Sequence, residues 1–350
     1  MNIRLKDIID TTGRANNLDA LRLFAAVFVI MYHCFLISNL QVGSVGIWIF
    51  FIISGFLITQ SYCKNSNPIR FLWSRCLRIF PALFVMLMIT MFVIGAFVTK
   101  LSIGNYFTNI NTYSYLQNIS LYARQLSLPS VSLAGFAELN VPLWSLCQEF
   151  TFYFLVLGLG MIGVLFKKRI IILGIFVASL ITSLFAQIPH TYFFQMDLSL
   201  VPTLLTYFSL GMTAYLYREY IRISRVWMFV ALFATVVMEF VTRTPTVLFS
   251  ISLTYLILYL GYTPNIKLSV LTKFGDYSYG LYIWGFMVQL LIMQAFKNIN
   301  PFLLFGSTLI GTYIIAGCSW HLIEKRALKL KNYHLEIYKT KAKLEIEVAG

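Results

Sequence analysis

Arg22 and His33 stand eleven residues apart in the run NNLDALRLFAAVFVIMYHCF. At about 100° per residue this spacing closes on three helical turns, so both side chains leave one face, about 16 Å apart. A guanidinium at one end of an apolar helix and an imidazole deep inside it suit a long ligand. Its anionic end would stay with Arg22 and its reactive end would reach His33, acting as a general base. Singly, Arg22 also reads as a side chain snorkelling to the interface, and His33 as a core imidazole bonded to another helix. Asp19, three residues before Arg22, either orients the guanidinium or serves as a first-turn carboxylate. In RCLRIFPAL, Arg75 and Arg78 share a face at i, i+3. They are expected at the start of a helix, where the dipole disfavours cations. Such a pair calls for an anion, and the planar fork suits phosphate; simple anchoring at the membrane surface is the alternative. In LWSLCQEFTFY, Glu149 is expected about one and a half turns into the membrane. A carboxylate there needs a partner, and its depth matches that of His33, so a Glu149–His33 pair is expected. Support could come from Ser54, beside Gly55 in a mid-span small-residue step, from Trp144 at an interface, and from Tyr279 and Tyr282, whose hydroxyls follow Ser278 near a helix start.

The elements that must carry these groups follow from composition. Of 350 residues, 59% are hydrophobic and 11% charged, with a mean hydropathy of +0.78. Soluble domains carry about 25% charged residues, so an ordinary soluble enzyme and a disordered chain are both excluded. An all-α, polytopic membrane bundle remains. Ten apolar segments are long enough to be candidate spans: 20–39, 46–62, 79–99, 143–165, 170–188, 199–217, 226–242, 247–263, 275–296 and 301–322. With both termini in the cytoplasm, only Lys100, Arg124, Arg243 and Lys297 of the 27 Lys and Arg fall in external loops, Arg22 lying within the first span. That asymmetry follows the positive-inside rule and explains the excess of basic over acidic residues without nucleic acid as a partner.

The expected organisation is a membrane domain over 1–324, with an external segment of about 100–142, and a basic cytoplasmic tail over 325–350. The external segment carries Tyr106, Phe107, Tyr113, Tyr115 and Tyr122, which read either as interfacial anchors or as rings that stack on sugars. Glu324 reads as an ion-pair partner of its neighbours Lys325 and Arg326. No cleavable signal peptide and no fused soluble domain are expected. The five cysteines are scattered through apolar runs and read as small packed hydrophobes. No metal is expected.

Taken in order, LDALRLFAAVFVIMYH, FFIISGFLIT, RCLRIFPAL, LWSLCQEFTFY, DYSYGLYIW and IEKRALK resemble the acyltransferase-3 family of bacterial integral-membrane acyltransferases. The resemblance implies a ten-span inner-membrane bundle that moves acyl groups, often acetyl, from cytoplasmic acyl-CoA to cell-surface sugars. It implies His33 as the catalytic histidine with Arg22 as its motif partner, Arg75 and Arg78 in donor binding, and Glu149 as the acidic position of the tryptophan-led motif. Three positions depart from the family pattern: Trp48 replaces an acid, Gly285 a histidine, and Phe150 a second acid.

The expected reaction has acyl-CoA, most simply acetyl-CoA, held by Arg75, Arg78 and Arg22 through charge-assisted bonds. His33 deprotonates a hydroxyl of a surface glycan or lipid-linked saccharide, and Glu149 fixes the imidazole as a carboxylate does in hydrolase triads. A covalent acyl-histidine is left open. The rival function is a non-catalytic transporter or exporter of a glycan or small metabolite. Against it, no acid is expected at the midplane to carry a coupling ion, and no broken-helix pair recurs in two halves.

Overall fold

A computed structural model describes residues 2–12, 17–35, 42–123, 125–193, 196–241, 247–263 and 266–332. Arg14, Arg124, Arg243, the end of the first span at 36–39 and the tail beyond 332 lie outside these residues. A helix stands at each of the ten expected segments: α1 Asn17–Phe35, α2 Val42–Lys64, α3 Pro68–Ile89, α4 Trp144–Met161, α5 Ile170–Phe185, α6 Val201–Leu216, α7 Arg225–Val241, α8 Val247–Tyr262, α9 Ser278–Ala295 and α10 Pro301–Ser319. Among the described residues, five helical stretches have the length and apolarity to cross a membrane: Asn17–Phe35, Ser44–Lys64, Pro68–Val98, Val141–Met161 and Pro301–Lys329. Large apolar side chains such as Phe97, Phe185, Phe229, Phe233 and Phe302 stay exposed around the bundle, a surface that lipid tolerates and water does not.

The third helix starts earlier than hydropathy suggests. Asn67 caps it by accepting the Arg70 amide at 2.9 Å, and Pro68 occupies its opening position. Arg75 and Arg78 therefore sit in the second and third turns, beyond the reach of the terminal dipole, and the expectation that they open the helix is corrected. Beyond Ile89 the chain passes through a π turn, Thr90–Gly95, before ending at Val98. A second π turn, Trp320–Glu324, carries α10 on into Lys325–Lys329.

The bundle is built around α2, which packs on α1, α4 and α6, while α9 packs on α1 and α10. At the α2–α6 crossing the backbones touch. A Cβ on Gly55 would lie 2.0 Å from the Phe208 carbonyl oxygen, and one on Gly211 would lie 2.1 Å from that of Ile52. Both obstacles are main chain, which cannot rotate aside. Gly55→Leu is accordingly expected to leave little folded protein, and Gly55→Ala to lower stability by about 1–3 kcal/mol or more. Monodispersity in detergent and thermal unfolding measure this; a Gly55→Leu variant that melts like the parent would remove the close approach.

The N-terminus is tied to one end of the bundle. Residues Asn2–Arg4 pair antiparallel with Arg222–Ser224, and the Leu5 amide donates to the Ile221 carbonyl at 2.8 Å. The opposite end is covered by the chain between Val98 and Val141. This cover is not a loose external loop. The Tyr106 hydroxyl donates to the Met91 carbonyl in the π turn at 2.8 Å, and Asn140 donates to the Tyr115 hydroxyl at 2.7 Å. Tyr106 and Tyr115 are wholly buried, and burial pushes the Tyr106 hydroxyl up to about 12, so it remains a neutral donor. These two rings are therefore core and not available for stacking on sugars. Tyr113 is exposed, and the Tyr122 hydroxyl is bonded to Thr151 at 3.0 Å.

Candidate active site

The three arginines singled out from sequence meet in one cavity. It has a volume of about 580 Å³ and lies at the end of the bundle that also carries Lys64, Lys273, Lys325 and Lys331. Asp19 and Ser54 line it too, as does Tyr153. The helix periodicity of α1 and α3 turns Arg22, Arg75 and Arg78 inward, and packing of both helices near α9 closes the ring.

The arginines are not equivalent. Arg22 and Arg78 share one oxygen of Asp276, Oδ2, at 3.2 Å and 2.6 Å. Arg78 also reaches Glu324 at 3.5 Å, and its guanidinium lies over the rings of Tyr279 and Trp320 at 5.8 Å and 5.9 Å. The other oxygen of Asp276 accepts the amide and hydroxyl of Ser278 at 3.2 Å and 2.5 Å, which fixes the carboxylate at the start of α9. Glu324 is 1% exposed and accepts the Ser319 hydroxyl at 3.0 Å. Its expected pairing with Lys325 and Arg326 is corrected: those neighbours are exposed, while the π turn directs Glu324 inward to Arg78. Arg75 is different. Among the described residues it donates to the Ser61 hydroxyl at 3.0 Å, lies over the Phe71 ring, and keeps a buried Nε with no hydrogen-bond partner. A buried N–H left unpaired is costly unless something takes it.

From Arg22 a narrow pocket of about 30 Å³ continues into the bundle between Phe50, Ser145, Glu149, Tyr279 and Tyr282. Here the expected Glu149–His33 pair is corrected. Glu149 accepts the Tyr153 hydroxyl at 2.6 Å and the Ser54 hydroxyl, both on Oε1. Both tyrosines of α9 are committed as well. Tyr279 donates to the Ile79 carbonyl at 2.9 Å, and Tyr282 donates to the Pro142 carbonyl while lying 2.5 Å from the Ser145 hydroxyl. Trp144 stands apart, beside a cavity of about 20 Å³ formed with Asn118, Leu121 and Cys147 under the cover.

His33 lines neither the wide cavity nor the narrow pocket. It is half-buried near the covered end of α1, with its ring edge-on to Tyr32 at 5.4 Å and to Phe286 at 5.1 Å. Phe286 lies one turn beyond Tyr282 on α9, and Tyr282, which lines the pocket, meets the Phe50 ring edge-on at 5.8 Å. Gln289, unremarked in the sequence, donates to the His33 carbonyl at 2.9 Å and keeps a buried Oε1 unpartnered. Asp276 was also passed over, because an acid just before a helix start reads as an ordinary capping group.

The positions that depart from the family pattern are absorbed by packing. Trp48 stacks on Tyr207 at 4.8 Å, and Phe150 meets Phe80 edge-on at 5.5 Å. At Gly285 even a Cβ would lie 2.8 Å from Ile30. A separate Ser199–His190–Asp197 cluster beyond α5 is no triad. Ser199 and Asp197 both approach Nδ1 of His190, leaving the serine on the wrong nitrogen for nucleophile activation.

A family model described as an acyltransferase domain matches residues 15–321. Nodulation protein 10 of Rhizobium leguminosarum bv. viciae is 30% identical over 363 residues, covering 92% of this chain and 95% of that protein. An O-acetyl transferase of Shigella phage Sf6 is 29% identical over 335 residues, covering 90% of this chain and 96% of that protein. No solved structure matches significantly.

Proposed function

The chain belongs to the acyltransferase-3 family, and from that premise we propose that it moves an acetyl group from cytoplasmic acetyl-CoA to a hydroxyl of a cell-surface polysaccharide or its lipid-linked precursor. In this reading all ten helices cross the bacterial inner membrane and both termini are cytoplasmic. The basic end of the bundle then faces the donor, in keeping with the positive-inside rule.

The observation that carries the proposal is the basic cavity with Arg75 on its wall, whose buried Nε lacks a partner. A phosphate in the cavity would meet the guanidinium of Arg75, whose described hydrogen bond is to the Ser61 hydroxyl and not to a carboxylate, with charge-assisted bonds. Arg22 stands where the cavity meets the narrow pocket, and the flexible arm of the donor would follow α1 from there toward His33, about 16 Å away. Turning of Phe50, Tyr282 and Phe286 belongs to this path.

At His33 the imidazole takes the proton of the acceptor hydroxyl as its oxygen attacks the thioester carbon. The carbon–sulfur bond breaks, and the departing thiolate recovers the proton from the imidazolium. Glu149 has a different part from the one expected. Bonded to Ser54 and Tyr153, it braces α2 against α4 beside the path and leaves the imidazole to Phe286, Tyr32 and the Gln289 bond to its own carbonyl.

Arg75→Ala is expected to raise the apparent KM for acetyl-CoA at least tenfold with a smaller change in kcat. Steady-state transfer by the purified chain, given acetyl-CoA and a saccharide acceptor, measures it. An unchanged KM would separate the cavity from donor binding, and no transfer from acetyl-CoA by the parent chain would reject the function.

A further inference from the structure

Where the cover meets the far end of α9 it makes a tight turn. The amides of Leu133 and Phe136 each donate to the other residue's carbonyl, at 3.0 Å and 2.9 Å, and Ala134 and Gly135 between them take positive φ, 51° and 87°. That combination is what a two-residue hairpin turn requires. Leu133 is wholly buried and roots the turn in the core. From the other side the Ala134 amide donates at 2.8 Å to Oε1 of Gln294, in the last turn of α9. An alanine at positive φ is uncommon, and here the bond to Gln294 offsets part of its cost. The turn is held from both sides.

This anchoring places one ring. Phe136, the last residue of the turn, is 46% exposed and meets Phe286 edge-on with the centroids 6.3 Å apart. Phe286 in turn lies edge-on to His33 at 5.1 Å. Phe136 therefore stands two ring contacts from the imidazole, at the opposite end of the bundle from the arginine cavity. Its exposed chain neighbours are Gly135, Ala137 and Glu138, small or charged, unlike the long apolar side chains of the lipid-facing helices. A ring held outside the helices in such company suits a polar molecule that has one apolar face. A pyranose is such a molecule: its C–H bonds gather on a face, its hydroxyls lie around the rim, and the electron-rich face of an aromatic ring attracts the C–H side.

We infer that Phe136 seats a sugar ring of the acceptor, which holds a neighbouring hydroxyl at His33, so that the cover turn and not the arginine cavity governs acceptor affinity. The inference rests on the acyl-transfer reading above and adds an acceptor subsite to it. A contact made two rings away from the reacting atoms is the same before and during transfer, so its loss raises KM for the acceptor and leaves kcat nearly unchanged.

The test is steady-state transfer by the purified full chain in detergent micelles, from acetyl-CoA to the glycan fraction, lipid carrier included, extracted from cells that lack this chain. Phe136→Leu keeps the apolar bulk and removes the aromatic face. It is expected to raise the apparent KM for the glycan about three- to tenfold, the size of one aromatic contact. The KM for acetyl-CoA should stay within about twofold of the parent and thermal unfolding should not change. Phe136→Tyr, which keeps the face, should restore the parent KM. An unchanged glycan KM in Phe136→Leu makes Phe136 an apolar anchor at the membrane surface and overturns the inference while leaving the function intact. Equal losses in Phe136→Leu and Phe136→Tyr, or equal rises in both KM values, overturn it as well. No transfer to the glycan fraction by the parent chain overturns both readings.

Discussion

His33→Ala is expected to lower acyl transfer by about two to four orders of magnitude, the range that a positioned general base contributes, while the protein inserts and purifies as the parent does. The imidazole is half-buried and its ring packs on Tyr32 and Phe286, and among the described residues it makes no hydrogen bond that holds helices together. The Gln289 bond is made to the backbone of residue 33 and survives the substitution. Loss of activity with unchanged melting therefore points to chemistry. His33→Gln keeps the bulk against Phe286 and should be as inactive; activity retained in either variant would remove the imidazole from the reaction.

The second large effect concerns stability. Arg78→Ala removes the cation that faces both Asp276 and Glu324 and leaves two buried carboxylates with less to compensate them. Breaking a buried pair by deleting one partner costs about 3–5 kcal/mol, so a steep loss of thermal stability is expected. Arg78→Lys keeps the charge but cannot fork to two acids, and should fall between. If Arg78 acted only on the donor, as its spacing from Arg75 suggests, Arg78→Ala would weaken CoA binding and melt normally. Thermal unfolding of the purified variants beside donor binding distinguishes these outcomes.

The sequence made the helices legible because lipid demands long apolar runs, and each of the ten runs became a helix. It also made the meeting of Arg22, Arg75 and Arg78 legible, since charges in such runs have few places to go. What stayed hidden was the level and direction at which a side chain meets the rest of the bundle. Glu149 and His33 look equally deep when residues are counted from their helix ends, but Glu149 lies on the arginine side of the bundle, in the pocket that begins at Arg22, and is bonded to Ser54 and Tyr153 of the arginine cavity. Glu324 was assigned to its sequence neighbours because a π turn leaves no mark in hydropathy. Tyr106 and Tyr115 looked like surface aromatics because the chain around them is polar, yet their hydroxyls satisfy the Met91 carbonyl and the Asn140 amide inside the fold. Asp276 is the plainest omission. Its role depends on two arginines from distant parts of the chain, and no local pattern announces that.

The contact of α2 with α6 at Gly55 and Gly211 limits how the molecule can flex. Shear between helices proceeds by side chains hopping between rotamers along the joint, and where main chain meets main chain there are no side chains to hop. These two helices therefore act as a stiff keel. Any widening of the narrow pocket beside Arg22 therefore falls to the other wall, where the ring of Tyr282 on α9 can turn only after its hydroxyl releases the Pro142 carbonyl, while that of Phe50 on α2 has no hydroxyl to release.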